Sequence, residues 1–301
     1  YIPTGSQFSD VVHGLHDHGF IVNTSSFEWL AEQKLYHQNV KPGRYKISNG
    51  MSNNELINLL RSGEQDPVKV SFNYIILPEH LAGKITRHIE ADSAEFRSMI
   101  TSSEWAGKYG FNSRTFMTMF IPNTYEMWWN TPEEELIARM AEEYKRFWND
   151  ERKAKASLIG LTQSEVSILA SIVQRETTKN DEKPTVAGVY YNRLKKGMLL
   201  QADPTLVYAV GDFTIRRVLN KHKKVDSPYN TYIHKGLPPG PICLPSIQSI
   251  DAVLNVEDHG YVFFCAKPDG SGYHSFAKSY SQHLRNARAF QRELNRRKVY
   301  K

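Results

Sequence analysis

Apolar residues recur at helical spacing through most of the chain and at strand spacing in only a few short runs. Val166, Ile168, Leu169, Ala170, Ile172 and Val173 predict a helix from Ser164 to Glu176. Thr162-Gln163-Ser164-Glu165, just ahead of that run, has the S/T-x-x-E form of a capping box. A second helix is predicted from Thr185 to Leu194, with Gly197 ending it. Residues 92–150 read as mainly helical, broken at Phe120-Ile121-Pro122-Asn123-Thr124-Tyr125 and resumed by a charged helix after Thr131-Pro132-Glu133. Tyr261 to Ala266 reads as a buried strand with Tyr273 to Phe276 as its hairpin partner, and a basic amphipathic helix closes the chain.

The first hundred residues carry a weak internal repeat. Tyr1 to Gly5 leads into a helix with Val11, Val12 and Leu15, and Tyr45 to Gly50 leads into one with Leu56, Ile57, Leu59 and Leu60. Each copy reads as a short strand, a Gly turn, a polar N-cap (Ser52 or Asn53 in the second) and an amphipathic helix. A looser third copy starts at Tyr74-Ile75-Ile76-Leu77-Pro78. The fold class predicted is α+β: a small strand-helix domain over residues 1–100, and a mainly helical domain with a short β-sheet over residues 101–301.

Composition narrows the function classes. A chain of 301 residues with 40% hydrophobic and 12% aromatic residues is long enough for two cores. No run approaches the ~20 apolar residues that cross a bilayer, and Tyr1 in place of Met leads to the expectation of an anchoring segment upstream. The net charge of +6 is spread along the chain apart from the basic end Arg296-Arg297-Lys298 and Lys301, and no nucleic-acid motif accompanies it. Cys243 and Cys265 are too few for a disulfide framework or a zinc site.

Among candidate chemistries, a GxSxG elbow, a P-loop and a GxGxxG fingerprint are absent, and no metal or cofactor is expected. His13, His16, Asp17 and His18 lack a third ligand at a helical offset, so a solvated helix is the preferred reading over a metal site. Glu176 is the informative residue. It lies three, four and seven residues after Val173, Ile172 and Leu169, on the apolar stripe. Two readings follow: a desolvated carboxyl with a raised pKa suited to a general acid, or a helix-terminal Glu that snorkels to solvent. Asp181 and Glu182 read as a solvated rim. Asp203, before Pro204, is read either as an N-cap or Asx turn or as a second carboxylate.

Several motifs occur in a fixed order: Leu169 to Thr177, Val186 to Leu194, Gly197 to Thr205, Tyr229-Asn230-Thr231-Tyr232, and Gly236-Leu237-Pro238-Pro239-Gly240-Pro241-Ile242. In order and approximate spacing they resemble the YceG-like endolytic murein (lytic) transglycosylases, also called MltG, and Phe120 to Tyr125 is similar to that family's F-x-P-x-T-Y segment. The resemblance covers nearly the whole chain. It implies a LysM-like domain at 1–100, a catalytic transglycosylase domain at 101–301, and Glu176 as the catalytic residue. Two departures from the family pattern stand out: Gln174 where several members have another acid, and Ala202 where Thr or Ser commonly precedes Asp-Pro. The implied reaction is cleavage of the β-1,4 bond between N-acetylmuramic acid and N-acetylglucosamine in nascent glycan strands, leaving a 1,6-anhydro end. Asn192, Gln201, Asp203, Tyr229, Asn230 and Thr231 are the expected sugar-binding residues, with Arg193 either on a peptide-stem carboxylate or in a structural ion pair. Implied partners are peptidoglycan glycan strands and peptidoglycan synthases, and the implied location is the bacterial inner membrane with the catalytic domain in the periplasm. A hydrolytic muramidase using Glu176 with Asp203, and a non-enzymatic cell-wall-binding module, are the alternatives.

Overall fold

The computed structural model describes residues 1–215 and 217–296, so Arg297, Lys298 and Lys301 of the basic end lie outside the described residues. The chain runs through α1 (Phe8–Asp17), α2 (Thr24–Gln33), α3 (Asn53–Ser62), β1 (Val68–Ser71), α4 (Pro78–Thr86), α5 (Ser93–Thr101), α6 (Ser103–Lys108) and β2 (Thr124–Met127). It continues with α7 (Glu133–Phe147), α8 (Asp150–Leu158), α9 (Gln163–Glu176), α10 (Lys183–Lys195) and α11 (Asp203–Val210). The last elements are α12 (Ile247–Leu254), β3 (Phe263–Ala266), β4 (His274–Ala277) and α13 (Tyr280–Arg296). Helices with two small antiparallel sheets make this an α+β fold.

Two compact units divide the chain. The first comprises Tyr1–Phe72, Glu79–Ser98 and Asn123–Ala138; the second comprises Asn73–Pro78, Met99–Pro122 and the chain from Arg139 onward. In the first unit, Val11, Val12 and Leu15 of α1, Phe27 and Ala31 of α2, and Leu56, Ile57 and Leu60 of α3 share one core with Tyr36. Each helix thus buries one stripe, as its spacing dictates. Ser52 caps α3 reciprocally with Glu55: its Oγ accepts from the Glu55 N–H at 3.3 Å and its N–H donates to Glu55 Oε2 at 2.9 Å. Gly63, at φ 74, ends the helix in the left-handed conformation that glycine adopts freely.

The repeat is realised in its helices and not in its strands. Where strands were expected near Tyr1 and Tyr45, a single antiparallel bridge joins Ile2 to Gly43, with both N–H···O distances at 2.8 Å. Pro3 has no N–H with which to extend that ladder. Tyr74 takes φ 54 instead of an extended conformation, so the third copy has no strand either, although α4 follows where its helix was expected. The sheet of this unit pairs β1 with β2, Val68 opposite Met127 and Ser71 opposite Thr124.

In the second unit α9 is the central helix. Every residue from Val166 to Val173 is buried, with α8, α10, α11 and α12 packed around it. The capping box that starts it is present: Thr162 Oγ1 accepts from the Glu165 N–H at 3.2 Å, and Glu165 Oε2 accepts from the Thr162 N–H at 2.8 Å. β3 and β4 pair antiparallel with Phe263 opposite Ala277, and α13 packs on both. A lone two-stranded ribbon is too narrow to shut its side chains away from solvent, so β3 is half-buried where its apolar sequence suggested full burial. Among the described residues no single helix is long and apolar enough to cross a membrane.

Candidate active site

The second unit holds a pocket of about 290 Å³ around Glu176. Glu176 closes α9, and the next residue, Thr177, turns the chain into an extended conformation at φ −139, ψ 142. Tyr190 and Arg193 reach the pocket from α10, one turn apart, and Asp203 from the first position of α11. Tyr232 comes from the loop after residue 228, Phe263 and Phe264 from β3, and Tyr280 and His283 from the first turn of α13. A larger cleft of about 680 Å³ lies in the first unit, walled mainly by Ile2, Val11, Leu15, Phe20, Ile47 and Leu60. Size does not choose between the two. A carboxyl with a strongly displaced pKa does.

Glu176 is half-buried as a residue, while its carboxyl group is enclosed by its neighbours. Desolvation pushes its pKa up to about 7. The Tyr190 hydroxyl, donating to Oε1 at 2.5 Å, and the Arg193 guanidinium oppose that rise; the Asp203 charge adds to it. The snorkelling alternative is therefore not what the fold adopts. Burial, with the charge of Glu176 next, drives the Tyr190 hydroxyl well above the ordinary phenol range, so Tyr190 is a fixed donor. Tyr232 is likewise raised by burial and by its hydrogen bond to Asp203 Oδ1 at 2.5 Å.

The expected sugar-binding residues divide into two groups. Gln201, Asp203 and Arg193 line the pocket with Glu176. Gln201 adopts φ 51, a conformation that costs a non-glycine residue about 1 kcal/mol, and its N–H donates to Thr231 O at 3.0 Å. Asp203 is not an N-cap: Ala202 holds that position, and the Asp203 carboxylate instead accepts from Tyr232. Arg193 is in no ion pair among the described residues. It is buried, and its guanidinium donates to three carbonyls: from Nε to Val262 at 2.6 Å, and from Nη1 to Leu200 at 2.7 Å and Leu199 at 3.3 Å.

Asn192, Tyr229, Asn230 and Thr231 lie outside the pocket lining. The Asn192 amide donates to the carbonyls of His259 at 2.7 Å and Tyr261 at 3.1 Å. Asn230 is fully buried, donating to the carbonyls of Lys223 and Val225 and accepting from the Tyr232 N–H at 3.0 Å. Thr231 Oγ1 meets the Ala202 N–H at 3.1 Å and Thr205 Oγ1 at 2.8 Å, so two threonine hydroxyls occupy the space around the alanine. Tyr229 packs its ring on Tyr208 at 4.8 Å. Asn230 and Thr231 hold the loop that presents Tyr232, whereas Asn192 holds the segment entering β3.

Seven pocket residues were not among the expected site residues: Tyr190, Leu200, Tyr232, Phe263, Phe264, Tyr280 and His283. One signal was available for the first. Val186, Tyr190 and Arg193 fall at i, i+4 and i+7 on one face of α10, which places a tyrosine among buried positions. Tyr232 closes the Tyr229-Asn230-Thr231-Tyr232 motif, where nothing local distinguishes it from its neighbours. The α13 residues gave no local signal, because only the fold brings them to α9.

Around the pocket, Glu182 is buried, contrary to the solvated rim expected, since its carboxylate accepts from Thr177 Oγ1 at 3.2 Å and from the His274 N–H and Nδ1 at 2.7 Å each. Gln174 faces elsewhere: its Oε1 accepts from Ser246 at 2.8 Å and Ser249 at 2.5 Å. Gly188 leaves no room for a side chain, as a Cβ there would sit 2.8 Å from Glu257 O and 2.6 Å from His259 Nε2. Both cysteines are free thiols, and burial pushes Cys243 up to about 12. Among the described residues no group of three or more His, Cys, Asp or Glu side chains is placed to hold a metal ion.

Comparison with known proteins bears on this arrangement. An endolytic murein transglycosylase of Streptococcus pneumoniae is 26% identical over 95% of this chain, and one of Bacillus subtilis is 27% identical over 94%. The chain spans 57% of the pneumococcal protein and 81% of the Bacillus one. A crystal structure of a yceG-like protein from Listeria monocytogenes superposes with a TM-score of 0.65 at 26% identity, covering 94% of this chain and 96% of that one. The YceG-like family pattern matches residues 1–289. The chain belongs to the YceG-like family.

Proposed function

We propose that this protein is an endolytic lytic transglycosylase that cleaves the β-1,4 bond between N-acetylmuramic acid and N-acetylglucosamine in nascent peptidoglycan strands. The observation that carries this reading is the Glu176 carboxyl set in the pocket beside Tyr190, Arg193 and Asp203, where burial lifts its pKa to about 7 and so keeps a proton available at neutral pH. The names of the pneumococcal and Bacillus relatives support the same reaction class.

In the proposed mechanism, protonated Glu176 gives its proton to the glycosidic oxygen as the C1–O bond breaks, and positive charge develops on the muramyl ring. The C6 oxygen of the same ring then attacks C1, and its hydroxyl proton passes to the Glu176 carboxylate. The anhydro bridge closes and Glu176 is protonated again. Tyr190 and Arg193 stabilise the carboxylate form, while Asp203 favours the protonated one. Asp203 acts here by charge and by holding Tyr232, with no water to activate. Gln201, in its strained conformation at the pocket edge, is assigned to the substrate, whereas Asn192, Tyr229, Asn230 and Thr231 act through the loops they hold.

The first unit is assigned a LysM-like role in holding glycan. An anchor in the inner membrane, a periplasmic catalytic domain and peptidoglycan synthases as partners complete the proposal. Purified peptidoglycan incubated with the protein should release anhydromuramyl products, read by mass spectrometry. Glu176→Gln should lower that release by roughly 10²–10⁴-fold while the fold persists. Retained activity in Glu176→Gln, or products heavier by one water, would overturn the assignment. The second outcome would favour the muramidase alternative with Asp203.

A further inference from the structure

The pocket has two unlike walls. On one side stand the groups that set the charge of Glu176; on the other, β3 and the first turn of α13 supply an aromatic surface that the reaction above leaves unused. Phe263 and the His283 imidazole lie nearly parallel, 5.3 Å apart at 19°. The Tyr280 ring is 5.9 Å from Phe263 and 6.3 Å from His283. Beyond Phe263, the Arg193 guanidinium lies over its ring at 5.2 Å, which braces the shelf against the α10 side of the pocket.

Two features of this shelf point to a ligand. Tyr280 is 61% exposed although it lines the pocket, and its hydroxyl has no partner among the described residues. An aromatic face left open inside a site is the surface on which the C–H face of a pyranose lies flat, because both are apolar while their edges are polar. Neither nitrogen of His283 has a hydrogen-bond partner among the described residues, and Nδ1 is shut off from solvent. A buried acceptor without a partner is tolerated better than a buried N–H without one, so the neutral ring carries its proton on Nε2. Burial, and the Arg193 charge after it, lower the His283 pKa, which keeps that ring neutral.

We propose that Tyr280, His283 and Phe263 form a saccharide subsite, in which Tyr280 stacks on the pyranose ring beside the bond that Glu176 protonates and His283 Nε2–H donates to an oxygen of that sugar. The subsite rests on the transglycosylase reading only for the identity of the sugar. It makes the glycan, and not the stem peptide, the part of the substrate that this wall recognises.

The test measures binding in Glu176→Gln, where no turnover confuses the titration. The probe is the peptide-free tetrasaccharide of alternating N-acetylglucosamine and N-acetylmuramic acid, followed by calorimetry. Adding Tyr280→Ala should weaken binding by at least about tenfold, the scale of one lost stacking contact, whereas Tyr280→Phe should cost less than about threefold. His283→Ala should fall between these two. Should Tyr280→Ala unfold by circular dichroism, Tyr280→Leu keeps the apolar volume without the ring and should weaken binding as Ala does. Binding within twofold of the Glu176→Gln parent in every folded variant, or no binding to that parent, overturns the subsite. Two failures remain distinguishable. Active wild-type protein with indifferent variants removes the subsite alone, and sensitive variants with an inactive wild type remove the transglycosylase reading alone.

Discussion

The helix that carries Glu176 and the loops that face it are held in place by opposite means. α9 is fixed by a capping box and by a continuous run of buried residues, Val166 to Val173. The Leu199–Tyr232 side is fixed by buried polar groups: Arg193 on three carbonyls, Thr231 on Thr205, and Asn230 on the loop carbonyls that precede Tyr232. The difference teaches how labour is divided at this site. Apolar packing sets where the carboxyl is, and the polar framework sets what charge it meets. The two can be perturbed separately.

The largest effect on the packed side is expected from Leu169→Ala. Leu169 is fully buried, and the cavity left should cost about 2–5 kcal/mol in denaturant unfolding. Residual activity should keep the alkaline pH limb of the parent, and a displaced limb would show that packing and charge are not separable here.

Glu176→Gln sharpens the other half of the comparison through stability. Below the unfolded-state pKa of about 4.5 both folded and unfolded chains hold the Glu176 proton, so parent and variant differ little. As pH rises, the unfolded state releases that proton first, and the parent loses stability until the folded value of about 7 is passed. The variant should therefore be more stable at pH 8, by up to about 3 kcal/mol, with no such advantage at pH 4. An equal gain at both pH values would attribute it to packing instead of charge.

Asn230→Ala should cost about 1–3 kcal/mol by leaving the Lys223 and Val225 carbonyls without their donor. Its activity should fall further than the loss of folded protein accounts for, because Tyr232 loses the backbone contact that places it. The smallest effects are two opposed shifts of the alkaline limb of the pH–rate profile, which reports loss of the Glu176 proton. Tyr190→Phe removes a hydrogen bond that lowers the Glu176 pKa, so the limb should move to higher pH; Asp203→Asn removes a charge that raises it, so the limb should move lower. Shifts of the same sign would break the account.

The contrast also explains what the sequence disclosed. The start of α9, its buried stripe and Glu176 at its end were legible because each depends on neighbours within a few residues. α3 with Ser52, Glu55 and Gly63 was legible for the same reason. Asn192, Asn230 and Thr231 were assigned to sugar because an amide or hydroxyl in the sequence looks alike whether it binds ligand or a distant group of the chain itself. Only the fold shows that their partners lie within the protein: backbone groups for all three, with the Thr205 hydroxyl added for Thr231. Tyr280 and His283 are about a hundred residues from Glu176 in sequence, and nothing in the pattern of α13 announces the pocket they complete.

Gly188, Asn192 and Arg193 mark one face of α10 as a jig for the segment entering β3. Gly188 lets the Glu257 carbonyl and the His259 ring come up against the helix, Asn192 grips the carbonyls of His259 and Tyr261, and Arg193 grips that of Val262. The β3–β4 hairpin and α10 therefore behave as one interchangeable part: a chimera that swaps the hairpin between relatives must carry α10 with it, or the new strand arrives at the pocket out of step.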